Sequence, residues 1–139
     1  MSELQRFHDA QDGVYERALA EVRAGQKRSH WMWFVFPQIA GLGSSPTAVR
    51  YAIRDLAEAR AYLADPVLGA RLRECAAALL ALPGRTAGQI FGYPDDLKLR
   101  SSMTLFAAAA PGPAPFQAVL DRYYDGTPDQ ATLDRLSDS

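Results

Sequence analysis

The chain has 139 residues, a single cysteine and a formal net charge of −1, which suits one domain able to bury roughly two-thirds of its unfolded surface. Apolar residues at 48% and charged residues at 22% exclude a disordered chain, and one cysteine excludes an intramolecular disulfide, as expected in a reducing compartment. The near-neutral charge argues against broad nucleic-acid binding.

The opening run "MSELQRFHDAQDG" carries charges where a secretory signal would need an apolar stretch, so a soluble, cytoplasmic protein is expected. Over residues 3 to 23, Leu4, Phe7, Gln11, Val14, Tyr15, Ala18, Leu19 and Val22 recur at steps of three and four, the stripe of an amphipathic helix. Ser2 with Gln5 reads as a capping box ahead of it, and Asp12-Gly13 as a break into two shorter helices.

Next comes "KRSHWMWFVFPQIAGLG", residues 27 to 43, dense in aromatic rings. Its apolar part, "WMWFVF", is far short of the ~20 residues needed to span a bilayer. Ser29 is placed to cap a short helix carrying His30 to Val35, and Phe36, before a proline, is biased out of helical geometry. Gly41, Gly43, Ser44 and Ser45 then form a donor-rich loop. Between Glu21 and Asp55 no acidic residue occurs, while Arg23, Lys27, Arg28, Arg50 and Arg54 fall inside that interval.

Downstream helix starts share a capping residue followed by proline: Ser45-Pro46, Asp65-Pro66 and Thr127-Pro128. Asp55 with Glu58 and Thr86 with Gln89 add two capping-box patterns. Leu68, Leu72, Cys75, Leu79 and Leu82 form a further stripe that stops at Pro83-Gly84. "DDLKLRSSMTLFAAAA", residues 95 to 110, is closed by "PGP", and Phe116, Val119, Leu120 and Tyr123 mark a helix ending near Asp125-Gly126. No segment alternates like a strand. The expected fold is all-α, one bundle-like domain over residues 1–139 with roughly seven to nine helices, several of them short.

Three groups of residues can carry chemistry. The rings of Trp31, Trp33, Phe34 and Phe36 exceed what one narrow core face needs, so some can wall a site that stacks a base; all-round packing is the plainer reading. "GLGSSP" empties into a helix start and can present backbone N–H groups to phosphate, with Lys27, Arg28 and Arg50 adding charge, yet no strand precedes it as a dinucleotide fingerprint requires. In "DDLKLRSSMTLF", Lys98 lies within a helical turn of Ser101 and Ser102, and Asp95 three residues before it. His30 is the candidate acid or base, because imidazole titrates near neutrality. Cys75 sits in a leucine stripe as a core residue. Only His8 and His30 are available as imidazole ligands, so no metal site is expected, and no cofactor.

"SHWMWFVFPQIAGLG" and "FGYPDDLKLRSSMTLF" together resemble the bacterial family DUF1810, and the resemblance extends over nearly the whole chain, including "RFHDAQDGVYERALAEVRAGQKRSHW" and "FQAVLDRYYDGTPDQATLDRL". It implies a small all-α domain with no established activity. Members often carry the label calpastatin, but calpain inhibitors of that name are long disordered repeats, unlike this apolar chain. The resemblance concentrates on Lys27, His30, Trp31, Trp33, Phe36, Pro37, Gln38, Gly41, Gly43, Asp95, Lys98, Ser101, Ser102, Thr104 and Phe106.

The expectation is that the two runs face each other across one polar-aromatic pocket. Trp31 or Trp33 would stack a nucleotide or ADP-ribose-like ligand, with Gln38, Ser101, Ser102 and Thr104 among the lining groups. Gly41, Gly43, Ser44, Lys27 and Lys98 would meet its phosphate, and a His30/Asp95 pair would supply acid–base chemistry for an N-glycosidase or related hydrolase. The alternatives are a protein-interaction module built on an exposed Trp/Phe patch and, from the basic and aromatic residues, single-stranded nucleic-acid binding.

Overall fold

Helices form where the stripes and caps place them. A computed structural model describes residues 3–110, 112 and 114–137. Its ten helices are α1 (Gln5–Gln11), α2 (Tyr15–Ala24), α3 (Met32–Val35), α4 (Pro46–Arg50), α5 (Leu56–Ala64), α6 (Leu68–Ala81), α7 (Ala87–Phe91), α8 (Asp95–Ala109), α9 (Pro115–Tyr124) and α10 (Gln130–Ser137). The count slightly exceeds expectation because three of the ten, α3, α4 and α7, are pieces of four or five residues. Among the described residues there is no strand, only a single parallel bridge between Ile39 and Ile53. None of the helices described is long and apolar enough to cross a membrane.

α8 is the central element. Every side chain from Ser101 to Phe106 is buried, as in a helix surrounded by neighbours on all sides. α5, α7, α9 and α10 pack on it, and α6 rests on α5 and α9. Phe106 lies 5.2 Å from Tyr62 and 5.9 Å from Phe116, ring centre to ring centre, tying α8 to α5 and α9. Gly69 permits the tight α5–α6 elbow, since a Cβ there would lie 2.1 Å from the Leu63 carbonyl oxygen.

Most punctuation acts as the sequence suggests. Ser45 accepts a bond from Ala48 N ahead of Pro46, Asp55 accepts one from Glu58 N, and Thr86 with Gln89 closes a complete capping box. Asp12-Gly13 separates α1 from α2. Four details differ. Glu58 turns its carboxylate to Arg54 N and the Arg6 guanidinium, so the Asp55–Glu58 pattern is only half a box. Asp65 does accept bonds from Val67 N and Leu68 N, but regular helix begins at Leu68, two residues beyond Pro66. α10 starts after Asp129 instead of Thr127, because the Asp129 carboxylate takes Thr132 N. Ser29 does not cap α3: its hydroxyl donates to Glu21, the helix begins at Met32, and His30 precedes it. Ser2, Pro111 and Pro113 lie outside the described residues.

Candidate functional site

The site is assembled from the loop after α2. Gly25 ends that helix in the left-handed conformation, φ 74°, which glycine adopts without a Cβ penalty. The chain then turns under Glu21, whose carboxylate accepts Arg28 N at 2.7 Å, Ser29 N at 2.9 Å, Ser29 Oγ at 2.7 Å and Trp31 Nε1 at 2.9 Å. Burial works against ionisation of Glu21, but these bonds outweigh it and bring its pKa to about 2. Lys27 N meanwhile donates to the Ile90 carbonyl at 2.7 Å, pinning the loop to α7.

This places the two runs side by side. Trp31, Phe36 and Phe91 form an aromatic triad with centroids 6.0 to 6.3 Å apart. Beside it Lys27 Nζ lies 2.8 Å and Lys98 Nζ 3.1 Å from the two oxygens of Asp95. Lys98 Nζ also sits 4.1 Å from the centre of the half-buried Trp33 ring, a cation–π contact. Burial raises the Asp95 pKa, yet the bonds and charges of both lysines prevail and hold it below the ordinary carboxylate value. An aspartate so held is an anchor for ammonium groups and a poor proton acceptor.

His30 is exposed and, among the described residues, makes no hydrogen bond or ion pair. The structure therefore does not bond it to Asp95, whose oxygens are taken by the lysines. Trp31 is fully enclosed, so of the two tryptophans only Trp33 offers a surface. The single Ser101 hydroxyl proton is shared between Leu97 O at 3.2 Å and Asp129 Oδ2 at 3.1 Å, and Thr104 donates to Arg100 O while accepting Asp129 N at 2.9 Å. These hydroxyls are engaged in fastening α10, and Arg100 helps through the Thr127 and Pro128 carbonyls. Ser102 is wholly buried with no partner for its Oγ among the described residues.

The glycine loop also meets Trp33. Gly41, φ 97°, faces the Arg135 guanidinium, which donates to its carbonyl at 3.3 Å. A Cβ on Gly43 would come 2.8 Å from Ala48 Cβ and 3.5 Å from the Trp33 ring, so glycine lets α4 close down. With five residues and its own Ser45 cap, α4 offers little dipole to an anion; Ser44 is simply exposed. A cavity of about 10 Å³ remains there, lined by Trp33, Gln38, Gly41, Gly43, Ala48 and Tyr51 among others. Gln38 is 7% exposed and its Nε2 has no hydrogen-bond partner among the described residues.

Sequence reasoning missed Glu21, Tyr51 and Arg135. Glu21 had one signal: an acid in the last turn of a helix opposes the dipole and needs another reason to be there. No local pattern points to the other two.

Residues 1–136 match the family described as protein of unknown function (DUF1810), and the chain belongs to that family. It is also similar to a solved structure, the conserved hypothetical protein Rv1873 from Mycobacterium tuberculosis. The identity is 54% and the TM-score 0.95, over 97% of this chain and 96% of that one. No curated protein matches the chain.

Proposed function

We propose that this protein binds a small anionic ligand that carries an aromatic ring, of the nucleotide or ADP-ribose type, at Trp33, Lys98 and Lys27. One observation carries the reading: two ammonium groups share the single carboxylate of Asp95, and one of them rests on the face of a half-buried tryptophan. The cluster keeps an excess positive charge beside a π-face. A ligand ring can take the Trp33 face while Lys98 transfers its contact to the ligand's phosphate, exchanging one favourable pair for two. The N-glycosidase or hydrolase version also needs an oriented acid–base pair. His30 and Asp95 are not bonded to each other, so binding alone is argued.

The test is a thermal-shift series with nucleotides, ADP-ribose, sugar phosphates and simple anions. A ligand at a hundred times its dissociation constant adds about 2.7 kcal/mol, roughly 5–10 °C for a domain of this size. The shift should vanish in Lys98→Ala and Trp33→Ala; no shift with any of these compounds counts against the proposal.

A second reading has its own observation. Tyr93, two residues ahead of α8, is 83% exposed and Leu97, in its first turn, 46%, as a protein-interaction patch would present them. A Tyr93→Ala/Leu97→Ala variant should keep a small-molecule shift and lose only partner binding.

A further inference from the structure

We infer that Gln38, at the cavity beneath α4, reads the edge of the ligand's ring while Lys98 and Lys27 hold the anionic end; this rests on the binding site proposed above. The ring is one whose edge sets a hydrogen-bond donor beside an acceptor, as adenine does.

The argument begins with an uncompensated amide. Gln38 is more than nine-tenths buried, its Nε2 has no partner among the described residues, and it lines the cavity. Buried amides ordinarily find hydrogen bonds, so one left without is a group awaiting a partner. A carboxamide offers N–H and C=O side by side and matches a donor–acceptor edge through two bonds. The same cavity is flanked by Trp33 and Tyr51, which supply apolar and π surface for a ring.

At about 10 Å³ the closed cavity is the size of one water molecule, so a ring enters only when α4 lifts. The segment that has to move is short and is held at its end by Arg6, whose guanidinium donates to the Arg50 and Ala52 carbonyls. α4 has five residues, and its Val49 is 64% exposed. Gly41, with positive φ, and Gly43 precede the helix, and on the far side the chain returns through the Ile39–Ile53 bridge. Trp33 belongs to both halves of the site, since Lys98 lies on its ring and the ring walls the cavity. A ligand that bridges the two halves would therefore span Trp33.

Calorimetric titration with adenosine 5′-monophosphate, adenosine and ribose 5-phosphate tests this against the unaltered chain, Gln38→Met and Lys98→Ala. Gln38→Met should weaken the monophosphate and adenosine about ten- to a hundredfold and leave ribose 5-phosphate unchanged. Lys98→Ala should weaken the two phosphates and spare adenosine. If Gln38→Met changes none of the three, or weakens ribose 5-phosphate as much as the monophosphate, the role of Gln38 is overturned, while the Lys98 results still judge the binding proposal separately. In the unaltered chain, the Gln38 side-chain amide resonances must move with the monophosphate. If they stay fixed, or if neither adenosine compound binds at millimolar concentration, the inference fails.

Discussion

Removing the Glu21 carboxylate should unfasten the loop that carries Lys27 and Trp31. In Glu21→Ala, Arg28 N and Ser29 N can turn to water, but Trp31 is fully enclosed and its indole N–H is stranded. A stranded buried donor costs about 1–3 kcal/mol and the loosened loop adds about 1, so a loss of about 3 kcal/mol is expected, near 10 °C in Tm. Glu21→Gln keeps an oxygen where Arg28 N, Ser29 N and Trp31 Nε1 converge and loses the charge and the acceptor of the Ser29 hydroxyl; it should cost about 1–2 kcal/mol after allowing for solvent screening. The pKa of Glu21 is about 2 against an ordinary 4.5. A depressed carboxylate stabilises fully above its unfolded value and loses that contribution as pH falls through its folded value, here from about 4.5 to about 2. Urea unfolding of the three proteins at pH 7 and pH 3 measures both effects. The difference between the unaltered chain and Glu21→Gln should shrink by about half at pH 3. Equal urea midpoints at pH 7, or a difference that grows with acid, would refute the reasoning.

Asp65 gives a second acid-sensitive point. Burial raises its pKa, but bonds from Leu68 N, His8 and Val67 N prevail and lower it; its contribution is therefore present above the ordinary carboxylate value and lost as pH falls through the lowered one. Asp65→Asn should cost about 1 kcal/mol near neutrality and little at strongly acid pH, read from urea midpoints. Gly69→Ala should be among the most damaging single changes, about 3 kcal/mol, because the obstructing atom is a main-chain carbonyl that cannot swing aside; a Tm within 2 °C of the parent, the equivalent of well under about 1 kcal/mol, would contradict the elbow. Asp95→Asn leaves two ammonium groups facing each other without a counter-charge. It should lower stability by about 1–3 kcal/mol at low salt while raising affinity for pyrophosphate, and a fall in affinity would count against the charge argument.

The helices were largely legible because their signals are local. Leu4, Phe7, Gln11, Tyr15, Ala18, Leu19 and Val22 are all buried along the expected stripe, and the Thr86 box stands as written. Start positions slipped where a neighbour competed for the cap: Asp129 lies two residues beyond Thr127 and is gripped by Ser101 and Thr104 from α8. The contact between the two runs was expected from the resemblance, and Lys27–Asp95 with Lys98–Trp33 makes it. Which aromatic would be enclosed was not legible. Trp31 and Trp33 are two residues apart in a chain too short of helix there to fix a face, and the choice is made by Glu21, ten positions upstream of Trp31. The roles of Ser101 and Thr104 were hidden too, since the residue that occupies them lies more than twenty positions away.

The unequal burial of the two tryptophans has an optical consequence. Trp31 is fully buried, its indole N–H fixed on a carboxylate and Lys27 Nζ 5.3 Å from its ring centre, and should be indifferent to dissolved quenchers. Trp33 is partly open, with an ammonium over its ring, and should be reached by iodide. The chain thus holds an internal reference lamp beside a reporter, and quenching by a dissolved solute can be assigned to Trp33 without a dye.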